Sequence, residues 1–220
     1  MLAIIPARKN SIGIKNKHLR KIKNLTVIDY TFTEVVKSNF IDQIIFTTND
    51  EKLKKIARNY NIDYIINRPH NLCTDNAKMI DVIIHALNFF KSKNHFLPAS
   101  FILLQPTSIF RKSYEIDDSI KIYHSKKSKS LIYISETINS SYENVQIQKK
   151  KFFFFKKKNI NRQKIKKNYF INGCIYIRDT NDFLITKKLI KRSNNYLLMS
   201  KLNSFELDEE FDFKIIKKIF

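Results

Sequence analysis

LAIIPARKNSIGIKNKH, residues 2–18, sets an apolar run that stops at Pro6 directly before a polar, basic loop holding one glycine. A short run of this kind, bounded by a proline, reads as a strand buried on both faces. Four similar runs follow at Gln43–Phe46, Tyr64–Ile66, Phe101–Leu104 and Leu131–Ile134. Amphipathic segments lie between them. Leu53, Ile56, Ala57 and Tyr60 recur at helical spacing, as do Ile80, Ile83, Ile84 and Leu87. Helices also fit at about 26–38, 111–125, 180–191 and 209–219. This alternation predicts an α/β fold: a Rossmann-like, mostly parallel sheet with helices on both faces. A single domain over 1–220 is expected. Within it, 136–169 breaks the pattern and reads as a small insertion or dimerisation arm.

The polar clusters sort by strand end. ARKNSIGIKNK follows the first strand, TTND (47–50) the second, NRPHNLCTD (67–75) the third and QPTS (105–108) the fourth. In open α/β sheets that carboxyl edge is where ligands bind.

Composition narrows the partner. Lys and Arg number 41 against 20 Asp and Glu, for a formal charge of +21. Such a balance invites nucleic acid. Yet the excess is carried by lysine, with only eight arginines, while Asn, Ile, Lys and Phe are abundant and Gly and Pro scarce. That is drift of the whole chain, and arginine, the better phosphate and base reader, is the rarer cation. No nucleic-acid partner is expected. Cys73 and Cys174 make neither a disulfide framework nor a zinc pattern. The opening apolar run is too short for a signal core, and no stretch reaches the ~20 apolar residues of a spanning helix. A cytoplasmic protein without a membrane partner is the expectation.

Only two glycines, Gly13 and Gly173, survive in this chain, so each has a physical need behind it. Their separation excludes a G-x-G-x-x-G or P-loop. Backbone N–H groups in a tight loop make an anion nest, and glycine can supply φ > 0 within it. Arg8 and Lys17 add fixed positive charge. In SFELDEEFDF (204–213), alternation along a short strand would put Glu206 and Asp208 on one face. Two carboxylates so placed suit Mg²⁺.

The opening loop resembles the signature of the CMP-sialic acid synthetases, the nonulosonate cytidylyltransferases, keeping Ile4, Ile5, Pro6, Ala7, Arg8, Asn10, Ser11, Gly13, Ile14 and Lys17. RPHNLCTDNAKMIDVIIHAL (68–87), LLQPTSIFR (103–111), NRQ (161–163), NGCIYI (172–177) and the acidic stretch extend the similarity along nearly the whole chain. It implies a nucleotide site of Ala7, Arg8, Asn10, Ser11, Gly13, Lys17 and Arg68. It further implies sugar contacts from Gln105, Arg162, Asn172 and Tyr176, and Mg²⁺ on Glu206 and Asp208. Arg8, Lys17 and Asp208 would carry the chemistry. CTP and a nonulosonic acid would be the substrates, and a homodimer the assembly. KDO cytidylyltransferase is the neighbouring reading; its first loop lacks the NSxG portion. A non-catalytic basic protein binding nucleotide or RNA is the reading from another class. The chain departs from the family pattern at Ile12, His18, Asn49, Lys78–Met79, Phe170 and Glu206. At the third of these, Asp50 is the candidate substitute.

Overall fold

The computed structural model describes residues 1–9, 13–137, 145–148, 151–154, 167–191 and 195–220, with backbone only at 145–148 and 151–154. Its centre is a seven-stranded sheet in the order β11-β7-β10-β6-β1-β4-β5. These strands are β1 (Leu2–Pro6), β4 (Gln43–Thr48), β5 (Tyr64–Asn67), β6 (Ser100–Leu104), β7 (Ser130–Glu136), β10 (Tyr169–Asp179) and β11 (Tyr196–Leu198). Strands β5, β4, β1 and β6 are mutually parallel, and β11 is parallel to β7. Only β10 runs the other way in this sheet, antiparallel to both β6 and β7. The expected mostly parallel α/β architecture is therefore present, with one reversed strand inside it.

The apolar runs are strands because both faces are covered. Ala3, Ile5, Phe46, Ile102 and Leu104 enter one core, and Leu2, Ile4, Ile45, Phe101 and Leu103 the opposite one. Successive residues of a strand point to opposite faces, so a doubly covered strand must be apolar throughout. The helices are α1 (Val27–Val35), α2 (Glu51–Ala57), α3 (Met79–Asn94), α4 (Ser113–Ser125), α5 (Thr180–Thr186) and α6 (Glu210–Ile219). The first begins on a reciprocal capping box between Thr26 and Asp29. Two short strands, β2 (Lys21–Ile22) and β3 (Leu25–Thr26), form a hairpin before α1. A third apolar cluster, with Ile14, Ile22, Val27, Leu207 and Phe213, glues this hairpin to the last helix.

The arm expected over 136–169 lies largely outside the described residues. Within it, β8 (Val145–Gln148) and β9 (Lys151–Phe154) pair antiparallel with each other as a separate two-stranded sheet. No described helix is long and apolar enough to cross a membrane.

One sequence reading needs correcting. Glu206 and Asp208 do not lie on a strand; residues 205–208 form no regular element. The alternation survives without the ladder. Leu207 is fully buried in the third cluster, and its N–H donates to the Thr107 carbonyl at 3.2 Å. That single anchor turns its two acidic neighbours the other way.

Candidate active site

The chain winds outward from β1 to β4 and β5 on one side, then returns to place β6 on the other. A crevice opens where the winding reverses, outside the carboxyl ends of β1 and β6. It is a cavity of about 510 Å³ whose wall includes Arg8, Gly13, Lys17, His18, Arg68, Asp75, Gln105 and Asp208. That size suits a small-molecule ligand. Six of the expected site residues are thus brought together: Arg8, Gly13, Lys17, Arg68, Gln105 and Asp208.

The first loop is held from behind by the β4 end. Ala7 is buried, and its N–H donates to the Thr47 carbonyl at 3.0 Å, so it extends the sheet rather than facing the cavity. The Lys9 N–H donates to Asn49 Oδ1 at 2.9 Å. Asn49 therefore does a job a carboxylate could also do: it accepts one loop N–H. Asp50 is no substitute for it, because its carboxylate caps α2, accepting from the Lys52 N–H at 2.8 Å. Asn10 and Ser11 lie outside the described residues, as does Arg162.

Three cations meet on this wall. Arg8 pairs with Asp75 at 2.7 Å and donates to the Cys73 carbonyl at 3.3 Å. Lys17 Nζ pairs with Asp208 Oδ1 at 2.9 Å. Arg68 is buried, donates to the Thr47 carbonyl at 2.8 Å, and has no carboxylate partner among the described residues. Burial, reinforced by the charge of Arg8, brings Arg68 down to about 10, so it remains protonated at neutral pH. Such convergence of fixed positive charge is what a polyphosphate requires.

The glycines are explained differently than the sequence implied. Gly173 has positive φ, at 72°. A Cβ on Gly13 would lie 2.0 Å from the Asp208 carbonyl oxygen, so glycine is needed there for close approach. The first loop and the acidic segment touch backbone to backbone. At Gly173 both needs coincide, since a Cβ would lie 2.3 Å from Glu206 Oε1.

Glu206 sits behind this wall. Its Oε1 is buried without a hydrogen-bond partner. Burial, then the nearby charge of Asp208, raises its carboxyl to about 7, with Lys17 and Arg111 opposing. A buried, unpaired carboxylate oxygen close to a second carboxylate fits a hard divalent cation that takes protein oxygens and phosphate together.

Asn172 and Tyr176 are not on the cavity wall. Asn172 is buried, donating to Ser135 Oγ at 2.9 Å and accepting from the Cys174 N–H at 3.2 Å. It braces the irregularity in β10 between Ile171 and Tyr176. Tyr176 is buried in the second core. Two wall-building residues were not singled out from sequence. Asp75 closes on Arg8. Arg111, 1% exposed, donates to the carbonyls of Gln105 and Cys174 at 3.0 and 2.9 Å, tying the β6 end to β10 beside Gly173. Its signal was available as the last residue of LLQPTSIFR.

A family model for cytidylyltransferases matches residues 2–215. The chain belongs to the cytidylyltransferase family. It is 30% identical over 219 residues to an N-acylneuraminate cytidylyltransferase of Escherichia coli O18:K1:H7, covering 98% of this chain and 51% of that one. The chain thus spans about half the length of that relative. It is 28% identical to a CMP-N,N'-diacetyllegionaminic acid synthase of Campylobacter jejuni, covering 99% of this chain and 93% of that one. Among solved structures, CMP:2-keto-3-deoxy-manno-octonic acid synthetase complexed with CTP shares the fold, with a TM-score of 0.72 at 12% identity, covering 99% and 97% of the two chains. A 4-diphosphocytidyl-2C-methyl-D-erythritol synthase from Anaerococcus prevotii shares it at a TM-score of 0.64 and 13% identity. As a cytidylyltransferase, this chain places its cation-lined cavity where the fold puts nucleotides.

Proposed function

We propose that this cytidylyltransferase uses CTP to transfer CMP to the anomeric hydroxyl of a nonulosonic acid, releasing pyrophosphate. The observation that carries the reading is the cavity at the β1/β6 switch, whose wall brings Arg8, Lys17 and Arg68 together with Asp208. The names of the relatives, sialic and legionaminic acid enzymes, supply the sugar class.

The anomeric oxygen attacks the α-phosphorus, the bond from that phosphorus to the α–β bridging oxygen breaks with its electron pair leaving on pyrophosphate, and the hydroxyl proton passes to solvent. Such transfer needs alignment and charge neutralisation more than covalent help. Arg8 and Lys17 take up charge on the departing pyrophosphate. Arg68, held by the Thr47 carbonyl, gives the triphosphate a fixed counter-charge. Gln105, on the wall beyond β6, faces the sugar. Glu206 and Asp208 are the residues that would hold Mg²⁺, which when bound neutralises phosphate charge and lowers the pKa of an attacking hydroxyl. Lys17, paired with Asp208 here, would be available to phosphate if Asp208 held the cation instead.

A homodimer belongs to the same proposal. Tyr169, Ile171, Tyr196 and Leu198 are exposed, and their strand register puts them on one face of β10, β7 and β11. Light scattering of wild type and a Leu198→Asp variant tests this; a wild-type monomer overturns it.

The function itself is tested by pyrophosphate release from CTP and Mg²⁺ with N-acetylneuraminic, legionaminic, pseudaminic and 2-keto-3-deoxyoctonic acids. Turnover with a nine-carbon acid is expected. Turnover with the eight-carbon acid alone, or with none, overturns the assignment.

A further inference from the structure

His18 occupies a position in the cavity that nothing in the reaction so far uses. It sits on a 3-10 turn, Lys17–Leu19, entered through a left-handed Asn16 (φ 53°). The turn is closed by the Leu19 N–H donating to the Asn16 carbonyl at 2.9 Å and the Arg20 N–H donating to the Lys17 carbonyl at 3.2 Å. The ring is therefore fixed by backbone, not by its own hydrogen bonds. It is buried, 8% exposed, and it lines the cavity. Its Nδ1 is turned into the protein without a hydrogen-bond partner. That leaves the Nε2 edge for the cavity.

A buried imidazole with no partner is unfavourable unless something arrives to satisfy it. Its surroundings state what that is. The charges felt at the ring are those of Lys17, Arg68 and Arg8, all positive. Burial first, and then these three cations, hold His18 down to about 3, so it is neutral at any working pH. A fourth protonated cation here would repel the other three. A neutral N–H supplies direction without that repulsion.

We propose that His18 contacts the phosphates, donating Nε2–H to a non-bridging oxygen as a neutral hydrogen-bond donor between the three cations. The proposal rests on reading the cavity as a nucleotide site. It assigns this chain's departure from the family pattern a role: an aromatic ring that fills the wall and still donates one hydrogen bond.

The test is calorimetric binding of CTP, tripolyphosphate and cytidine to wild type, His18→Leu and His18→Asn, with unliganded melting temperatures as the folding control. His18→Leu should bind CTP and tripolyphosphate about 10-fold more weakly, the loss of one charge-assisted hydrogen bond. His18→Asn, whose amide also donates, should stay within about threefold. Cytidine affinity should change in neither. Unaltered tripolyphosphate binding by a folded His18→Leu, or a loss confined to cytidine, overturns the proposal. Should His18→Leu fail to fold, ¹⁵N-histidine spectra of wild type decide: tripolyphosphate should shift the His18 Nε2–H resonance while the ring remains neutral from pH 6 to 8, and an unmoved resonance overturns it. Wild type that binds tripolyphosphate but not CTP sinks the nucleotide reading instead, and leaves the His18 contact to be judged on tripolyphosphate alone.

Discussion

Lys17 and Asp208, 191 positions apart, form a 2.9 Å ion pair across the cavity. The contact is seconded by Arg20 on Glu210 and by the Arg20 guanidinium 3.9 Å over the Phe213 ring. The first loop and the acidic segment are thus one unit, although the sequence separates them by almost its whole length.

Removing the charge of Asp208 should separate chemistry from folding. Asp208→Asn is expected to lower kcat at least about 100-fold, as for loss of a charged transition-state contact. The melting temperature should move little, because Asp208 is exposed. Glu206→Asp should keep activity or raise it, since a shorter carboxylate can still face the same cation. Rates measured against Mg²⁺ concentration check both; wild-type rates for Asp208→Asn at limiting Mg²⁺ would place the metal elsewhere.

Glu206 makes stability depend on pH. Its folded value, about 7, lies above the usual 4.5. Between those values the folded protein holds a proton that the unfolded chain has released, so stability falls as pH rises from about 4.5 to 7. Above 7 the whole cost is present, on the order of 3 kcal/mol. Glu206→Gln should therefore raise the metal-free melting temperature at pH 8 and have a much smaller effect at pH 5. Equal shifts at both pH values would mean that Glu206 is not held protonated.

Alanine at either glycine should harm the site by different routes. Gly13→Ala collides with the Asp208 carbonyl, which is backbone and cannot swing aside. It should push the acidic segment off the first loop and cut kcat/KM more than about 100-fold. Gly173→Ala adds strain from positive φ and meets the Glu206 side chain, so it should also lower the melting temperature. Circular dichroism melts alongside rates separate the two.

Asp75 holds Arg8 before any phosphate arrives. Arg8→Ala should lower kcat/KM about 100-fold. Asp75→Asn, nearly isosteric, removes a negative charge from the wall and should tighten product inhibition by pyrophosphate about 3- to 10-fold. Weaker pyrophosphate inhibition would show that Asp75 orients Arg8 rather than competing for it.

What could be read from sequence was what local physics decides. Doubly buried strands are continuous apolar runs, and helices show their stripes, so β1, β4, β5, β6, β7 and both striped helices could be placed. The rim was legible because polar residues follow each strand end. β10 was not: YFINGCIYIRD carries no mark of being reversed, since strand direction is set by tertiary pairing. The acidic segment was misjudged as a strand because alternation reports facing, and here one buried leucine supplies the facing without a ladder. The close approach at Gly13 was not legible, because sequence shows the residue but not its neighbour from the far end of the chain. Asn172 and Tyr176 were inferred from resemblance, and burial alone separates them from the cavity.

The backbone contact between Gly13 and the Asp208 carbonyl has a consequence for biosynthesis. The first loop leaves the ribosome roughly ten to forty seconds before the acidic segment that packs against it, at 5–20 residues per second. Through that interval the sheet β1-β4-β5-β6 can assemble, while Lys17 waits for its partner and Leu207 has yet to anchor. A nascent chain arrested before residue 204 would hold a near-complete α/β scaffold in which Arg8 keeps Asp75 while Lys17 lacks Asp208.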